Sequence, residues 1–299
     1  MKQTFLAWLI AARLRTLPLS LSGIFFGGTI AITSESFTPE IFHWAMIVTI
    51  SLQILSNFAN DLGDGLKGID NADRIGPKRA LQSGLLTAGE LKTGIIVLVA
   101  FTVLAIYRLL QKANLNDTSF VILALLGALS IVAALTYTLG KRPYGYYGLG
   151  DFMVFFFFGG VAVVGTVVLF TPIIPFHTVG YTLTAGALST AVLNLNNMRD
   201  HQSDKTSCKN TLVVRMGVER AKIYHFVLLI IAYIGFTFST ISVLGPNSVF
   251  LVLAFIFMIP HIQKVREVQD YGELDGELKK VALFCFALSI VSFLIAYFG

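Results

Sequence analysis

The chain reads as an all-α integral membrane protein, a single multi-pass unit over residues 1–299 with nine transmembrane helices and its active face at the cytoplasmic side. Three observations carry that reading. Of the 299 residues, 55% are hydrophobic and only 13% are charged, about half the roughly 25% of a soluble domain. Apolar runs of about 17–25 residues, the length that crosses a bilayer, recur along the whole chain. With the N-terminus placed inside, every one of the 22 Lys and Arg residues except Arg108 and Lys112 falls in an inner segment. An even number of spans scrambles that asymmetry. The expected topology is therefore N-terminus cytoplasmic and C-terminus outside.

Taken in order, the first span (17–33) follows a stretch carrying Arg13 and Arg15. The apolar run ending at Trp8 lacks a small-residue cleavage site, so it is read as retained. The second span (41–59) runs into the acidic stretch Asn57 to Asp64. Thr87-Ala-Gly-Glu90 reads as a capping box that starts the third (90–110). The fourth (119–138) ends in a Gly-rich connection, Tyr137 to Asp151, and the fifth (152–171) opens on the aromatic run Phe152 to Phe158. The sixth (178–196) leads into a second acidic stretch, Asn196 to Asp204. The seventh (222–243), eighth (247–263) and ninth (281–298) complete the set, the eighth bracketed by Pro246 and Pro260. The outer loops are short, whereas the inner loops 61–89 and 197–221 are long and hold nearly every polar candidate.

The two acidic stretches occupy corresponding places, each at the inner end of an even-numbered span and each followed by a basic segment. Asn57, Asp61 and Asp64 share one helical face, as do Asn196, Asp200 and Asp204. Carboxylates where a membrane helix meets water are costly without a cation between them. Hard oxygen donors of this kind suit Mg²⁺, which binds one or two carboxylates and completes its shell with water and substrate phosphate. Asp70, Asp73, Arg74, Lys78 and Arg79 follow the first stretch, and Lys205, Lys209 and Arg215 the second. The basic residues in both sets suit phosphate oxygens. Arg199 can instead pair with an Asp of its own segment, and Asp151 can simply cap the fifth span. Lys141 and Arg142 can reach a diphosphate or merely satisfy charge topology, and Tyr137 can stack on an aromatic substrate. The net charge of +5 reports topology and anionic lipid or phosphate, so no nucleic-acid partner is expected. Cys208 and Cys285 lie at different depths, with no metal spacing between them. Two Mg²⁺-type clusters, surrounding cations and a membrane setting imply a diphosphate whose organic part is lipid.

These residues resemble the UbiA superfamily of intramembrane prenyltransferases over nearly the whole chain. Arg13-Leu-Arg15-Thr-Leu-Pro18 and both acidic stretches carry the likeness. Asn60-Asp-Leu-Gly-Asp64 through Arg74-Ile-Gly-Pro77, Arg142-Pro-Tyr-Gly through Asp151, and Lys209-Asn-Thr-Leu-Val-Val-Arg215 are similar to its 1,4-dihydroxy-2-naphthoate polyprenyltransferase branch. The resemblance implies nine helices ringing a central cavity in the inner cell membrane. It further implies transfer of a polyprenyl group from its diphosphate to 1,4-dihydroxy-2-naphthoate, with loss of diphosphate and CO₂, in menaquinone biosynthesis. On it Asp61, Asp64, Asp200 and Asp204 hold Mg²⁺, assisted by Asn57 and Asn196. Arg74, Lys78, Arg79, Lys141, Lys205 and Lys209 grip the diphosphate, and Tyr137 and Arg142 flank the acceptor. Two positions depart from the family pattern: Gly68 stands where a third Asp is frequent, and Ser207-Cys208 stands where a glycine is usual. The rival readings are a prenyltransferase for 4-hydroxybenzoate or a haem- or chlorophyll-type acceptor, and a multi-pass transporter. Transporter carboxylates sit nearer the bilayer midplane than these do.

Overall fold

The computed structural model describes residues 2–69 and 75–299, all in helices and connecting turns. The helices are α1 (Lys2–Ala12), α2 (Leu17–Thr33), α3 (Pro39–Leu66), α4 (Ala88–Lys112), α5 (Asp117–Thr136), α6 (Gly150–Phe170), α7 (Thr178–Arg199), α8 (Val218–Leu244), α9 (Pro246–Glu267) and α10 (Tyr271–Phe298). Asp70, Asp73 and Arg74 lie outside the described residues. Among the described residues eight stretches are long and apolar enough to cross a membrane, α1 and α2 counting as one. The remaining helix, α7, is as long as the others but more polar, so the nine-span expectation holds by length and only eight times by apolarity.

The polarity of α7 has a packing cause. Most of its residues are buried against α2, α6, α8 and α10, so protein and not lipid surrounds it. Thr184 and Thr190 satisfy their hydroxyls on the preceding turn, and Ser239 of α8 accepts the Tyr181 N–H at 2.9 Å. Small residues let the backbones approach: a Cβ at Gly180 meets the Gly235 carbonyl at 2.3 Å. Buried His225 of α8 contacts His261 of α9 at 2.8 Å, and His261 contacts Glu277 of α10 at 2.7 Å. That polar chain ties three helices through buried groups that satisfy one another.

Two spans depart from α geometry. The middle of α6, Phe155–Val164, is π-helical and lies against α7 and α2. The first part of α9, Pro246–Met258, is a 3₁₀ helix. At a rise of ~2.0 Å per residue its 13 residues cover about 26 Å, enough to carry most of a membrane crossing. At the other end of the chain, Arg13 in left-handed conformation breaks α1 from α2. The capping box read at Thr87 forms in full at the start of α4. Helices α3, α4 and α5 pack together as one half, α7, α8 and α10 as the other, with α2 and α6 between them.

Candidate active site

The first acidic stretch ends α3 and the second ends a short helix, His201–Thr206, and both do so in the same way. The N–H of Ile69 bonds the Asp64 carbonyl at 3.0 Å and that of Gly68 the Gly65 carbonyl at 3.2 Å. The N–H of Lys209 bonds the Asp204 carbonyl at 2.8 Å and that of Cys208 the Lys205 carbonyl at 3.3 Å. This is the Schellman closure, and it needs a left-handed residue one place beyond the cap. Gly68 (φ +68°) and Cys208 (φ +56°) fill that place. The sequence repeat is thus a structural repeat in which Asp64 matches Asp204 and Asn60 matches Asp200. It also accounts for both departures: Gly68 terminates α3 without strain, and Cys208 adopts the conformation that usually calls for glycine.

In the first stretch the side chains have separate tasks. The buried Asp64 carboxylate is held on both oxygens, by the Tyr146 hydroxyl at 2.5 Å and by Arg79 at 2.7 Å. Arg79 also donates to the Asn60 carbonyl at 2.6 Å. Asp61 accepts the backbone N–H groups of Ala80 (3.1 Å) and Leu81 (3.2 Å), which fixes the turn that carries Arg79. Asn57 faces the break between α1 and α2, donating to the Ala12 carbonyl (2.8 Å) and the Thr16 hydroxyl (3.1 Å). It thereby satisfies a carbonyl freed at the end of α1. Asn60, not Asn57, reaches the cavity described below, and its amide oxygen accepts from Thr138 at 3.2 Å.

In the second stretch buried Arg199 forks onto Asp200, Nε to Oδ1 at 2.8 Å and Nη2 to Oδ2 at 2.7 Å. The same guanidinium bonds Asn196 at 2.9 Å and Asp275 of α10 at 2.5 Å. Asp204 lies 3.5 Å from the Lys209 ammonium, and its Oδ2 is buried with no hydrogen-bond partner. Burial pushes the Asp204 carboxyl up to about 6; Lys209 opposes the shift, while the charges of Asp200 and Asp64 add to it. Tyr146, bonded to Asp64, also has the Lys209 ammonium 5.6 Å from its ring centroid, which brings the two stretches together. Lys78, Lys141, Arg142 and Lys205 are exposed, whereas Arg79 and Lys209 are buried among the carboxylates.

Two cavities adjoin this cluster. One, of about 330 Å³, is mostly apolar and reaches from Asn60, Tyr137 and Tyr144 to Leu110 and Leu169 at the far end of the bundle. Along α3 it runs from Ala45 to Asn60, about 22 Å of helix. Tyr137 and Tyr144 stand edge to face at its mouth, 5.3 Å apart. Burial, with the charges of Asp151, Asp64 and Asp204, holds the Tyr137 phenol well above its usual range, so it stays a neutral donor. The second cavity, about 320 Å³, is more polar and is lined by Lys67, Lys141, Tyr146 and Asn210 among others.

An uncompensated buried carboxylate oxygen beside two further carboxylates is a donor set that fits a hard divalent cation. Among the described residues no three acidic, His or Cys groups enclose a metal unaided. The present residues fit an ion that takes its other ligands from a phosphorylated substrate and water. Tyr146 and Asp275 escaped the sequence reading, since their carboxylate and arginine partners lie 82 and 76 residues away.

A model of the UbiA prenyltransferase family matches residues 20–273. A 1,4-dihydroxy-2-naphthoate octaprenyltransferase of Haemophilus influenzae is 40% identical over 289 residues, covering 95% of this chain and 93% of that one. The enzyme of the same name from Escherichia coli is 46% identical over 224 residues, 75% and 72% of the two chains. Among solved structures, a UbiA homolog from Archaeoglobus fulgidus bound to GPP and Mg²⁺ superposes with a TM-score of 0.63 at 14% identity, covering 96% of this chain and 99% of that one. An apo UbiA homolog from Aeropyrum pernix gives 0.65 at 16% identity, covering 91% and 97%. At those identities the structural likeness shows the fold alone.

Proposed function

The chain belongs to the UbiA prenyltransferase family, and from that premise we propose that it transfers a polyprenyl group from its diphosphate to 1,4-dihydroxy-2-naphthoate, giving demethylmenaquinol, the reduced form of demethylmenaquinone. The observation that carries the chemistry is the pairing of Asp64 with Arg79, Asp200 with Arg199 and Asp204 with Lys209 beside the mouth of a long apolar cavity. The names of the two bacterial relatives support the acceptor.

In this reading the prenyl chain occupies the apolar cavity, and its diphosphate lies at the carboxylate cluster. Asp64, Asp200 and Asp204 hold Mg²⁺, with Asn60 and Asn196 nearby, and the ion's chemistry is to neutralise the leaving diphosphate. Arg79 and Lys209, still beside their carboxylates, take up the remaining phosphate charge. The allylic C–O bond breaks with its electron pair leaving on diphosphate. The naphthoate ring carbon then forms the new C–C bond, and loss of CO₂ from that carbon returns the electrons to the ring. Tyr137 and Tyr144 flank the acceptor, and the apolar wall keeps water from the allylic cation. Asp61 and Asn57 act on the frame that positions these groups. The basic loops support a site on the cytoplasmic face of the inner membrane.

Purified protein given a short prenyl diphosphate, Mg²⁺ and either naphthoate or 4-hydroxybenzoate tests the reading. Expected is a product with the mass of the decarboxylated prenyl naphthoquinol or its quinone. Prenylation of hydroxybenzoate alone overturns the acceptor assignment.

A further inference from the structure

Tyr146 is the point at which three separate parts of the chain meet. Its hydroxyl donates to Asp64 Oδ1 at 2.5 Å, in the first acidic stretch. Its own carbonyl accepts the N–H of Asn210 at 3.1 Å, in the loop that follows the second. Arg215 from the same loop bonds the neighbouring Tyr147 carbonyl at 2.9 Å. Two ammonium groups lie over the ring, Lys67 4.5 Å and Lys209 5.6 Å from its centroid. Lys67 is anchored in turn on the Thr138 carbonyl at 2.7 Å, and Lys209 lies 3.5 Å from Asp204.

A carboxylate on a short side chain rotates freely about its last bond unless both oxygens are held. Arg79 holds Oδ2 of Asp64, and Tyr146 holds Oδ1. With both bonds in place the carboxylate plane is set, and each oxygen keeps a lone pair for a further ligand. Removing the phenolic hydroxyl leaves one bond and a free rotation. The ring keeps its two lysine neighbours and its carbonyl keeps the Asn210 N–H, so the connection keeps its place.

We propose that Tyr146 is a positioning residue for the metal: it holds the Asp64 carboxylate in the orientation that binds Mg²⁺ and locks it to the loop of the second stretch. The proposal rests on the reading of Asp64 as a metal ligand. Residues that orient a ligand through its other oxygen or nitrogen contribute about 10–100-fold to metal affinity.

The test needs no turnover. Thermal unfolding of the detergent-purified full chain is followed against Mg²⁺ concentration in the presence of inorganic diphosphate. Tyr146→Phe leaves Asp64 Oδ1 without its phenol partner, so its Mg²⁺-free unfolding temperature is expected to fall modestly; measured from that baseline, its Mg²⁺ midpoint rises about 10–100-fold. In assays its kcat returns towards wild type as Mg²⁺ is raised. Tyr147→Phe, altering the exposed neighbour, leaves the Mg²⁺ midpoint unchanged. A Tyr146→Phe midpoint within about twofold of wild type overturns the proposal, and so does an equal shift in Tyr147→Phe. Asp64→Asn separates the two levels. If it loses the Mg²⁺ response while Tyr146→Phe keeps it, only the role of Tyr146 falls; if it too keeps the wild-type midpoint, the metal reading of Asp64 falls as well.

Discussion

Asp204 is buried, carries an oxygen with no partner and holds its proton up to about pH 6. A metal ion binds the ionised form, so below that pH it must displace a proton. The Mg²⁺ concentration for half-maximal activity should therefore be flat above pH 6 and rise about tenfold for each pH unit below it. Mg²⁺ titrations at several pH values read this directly, and Asp204→Asn should abolish the pH dependence along with most of the activity. Asp61 makes a different prediction because it accepts two buried N–H groups. Asp61→Ala orphans both, and the expected cost is about 1–3 kcal/mol of stability as well as lost activity, measured by thermal unfolding. Cys208 sits at φ +56° where its counterpart is Gly68, so Cys208→Gly should stabilise the protein by about 1 kcal/mol without loss of activity. These contrasts were only half legible beforehand. Spacing singled out both acidic stretches, yet it treated Asn57, Asp61 and Asp64 alike because they share a face. Their different tasks come from what lies opposite each: the end of α1, a turn at Ala80, and Tyr146 with Arg79.

At the scale of elements, α7 shows how a helix in the middle of a membrane bundle differs from one at its edge. Lipid contacts demand apolar side chains, whereas contacts with other helices reward small and hydroxylated ones. The Gly180–Gly235 approach leaves no space for a side chain. Gly180→Val should push α7 from α8 and lower stability by about 1–3 kcal/mol, seen in thermal unfolding with and without Mg²⁺. Since α7 leads directly into Asp200, activity should fall with it. Helix starts were easier to foresee, as at the Thr87–Glu90 box, because a cap involves only neighbours in sequence. The π segment of α6 and the 3₁₀ part of α9 were not foreseen. The same apolar residues satisfy several helical periods, and packing against α2 and α7 selects among them for α6.

On the scale of the whole molecule, the arrangement separates charge from hydrocarbon. Carboxylates and basic groups gather at one end, and an apolar cavity leads from them towards the other. The distribution of Lys and Arg predicts that termini tagged with reporters will appear on opposite sides, the N-terminal tag inside. Both tags on one side would contradict an odd number of crossings. The membrane class, the recurrence of bilayer-length helices and the presence of two matched acidic stretches were readable without coordinates. Lipid and water impose those features residue by residue, through transfer free energies that need no knowledge of neighbours. Which side chains meet was a matter for the folded bundle. Tyr146 on Asp64, Asp275 on Arg199 and Asn60 at the cavity depend on contacts between segments far apart in the chain, and only close packing of the helices brings them within hydrogen-bond distance.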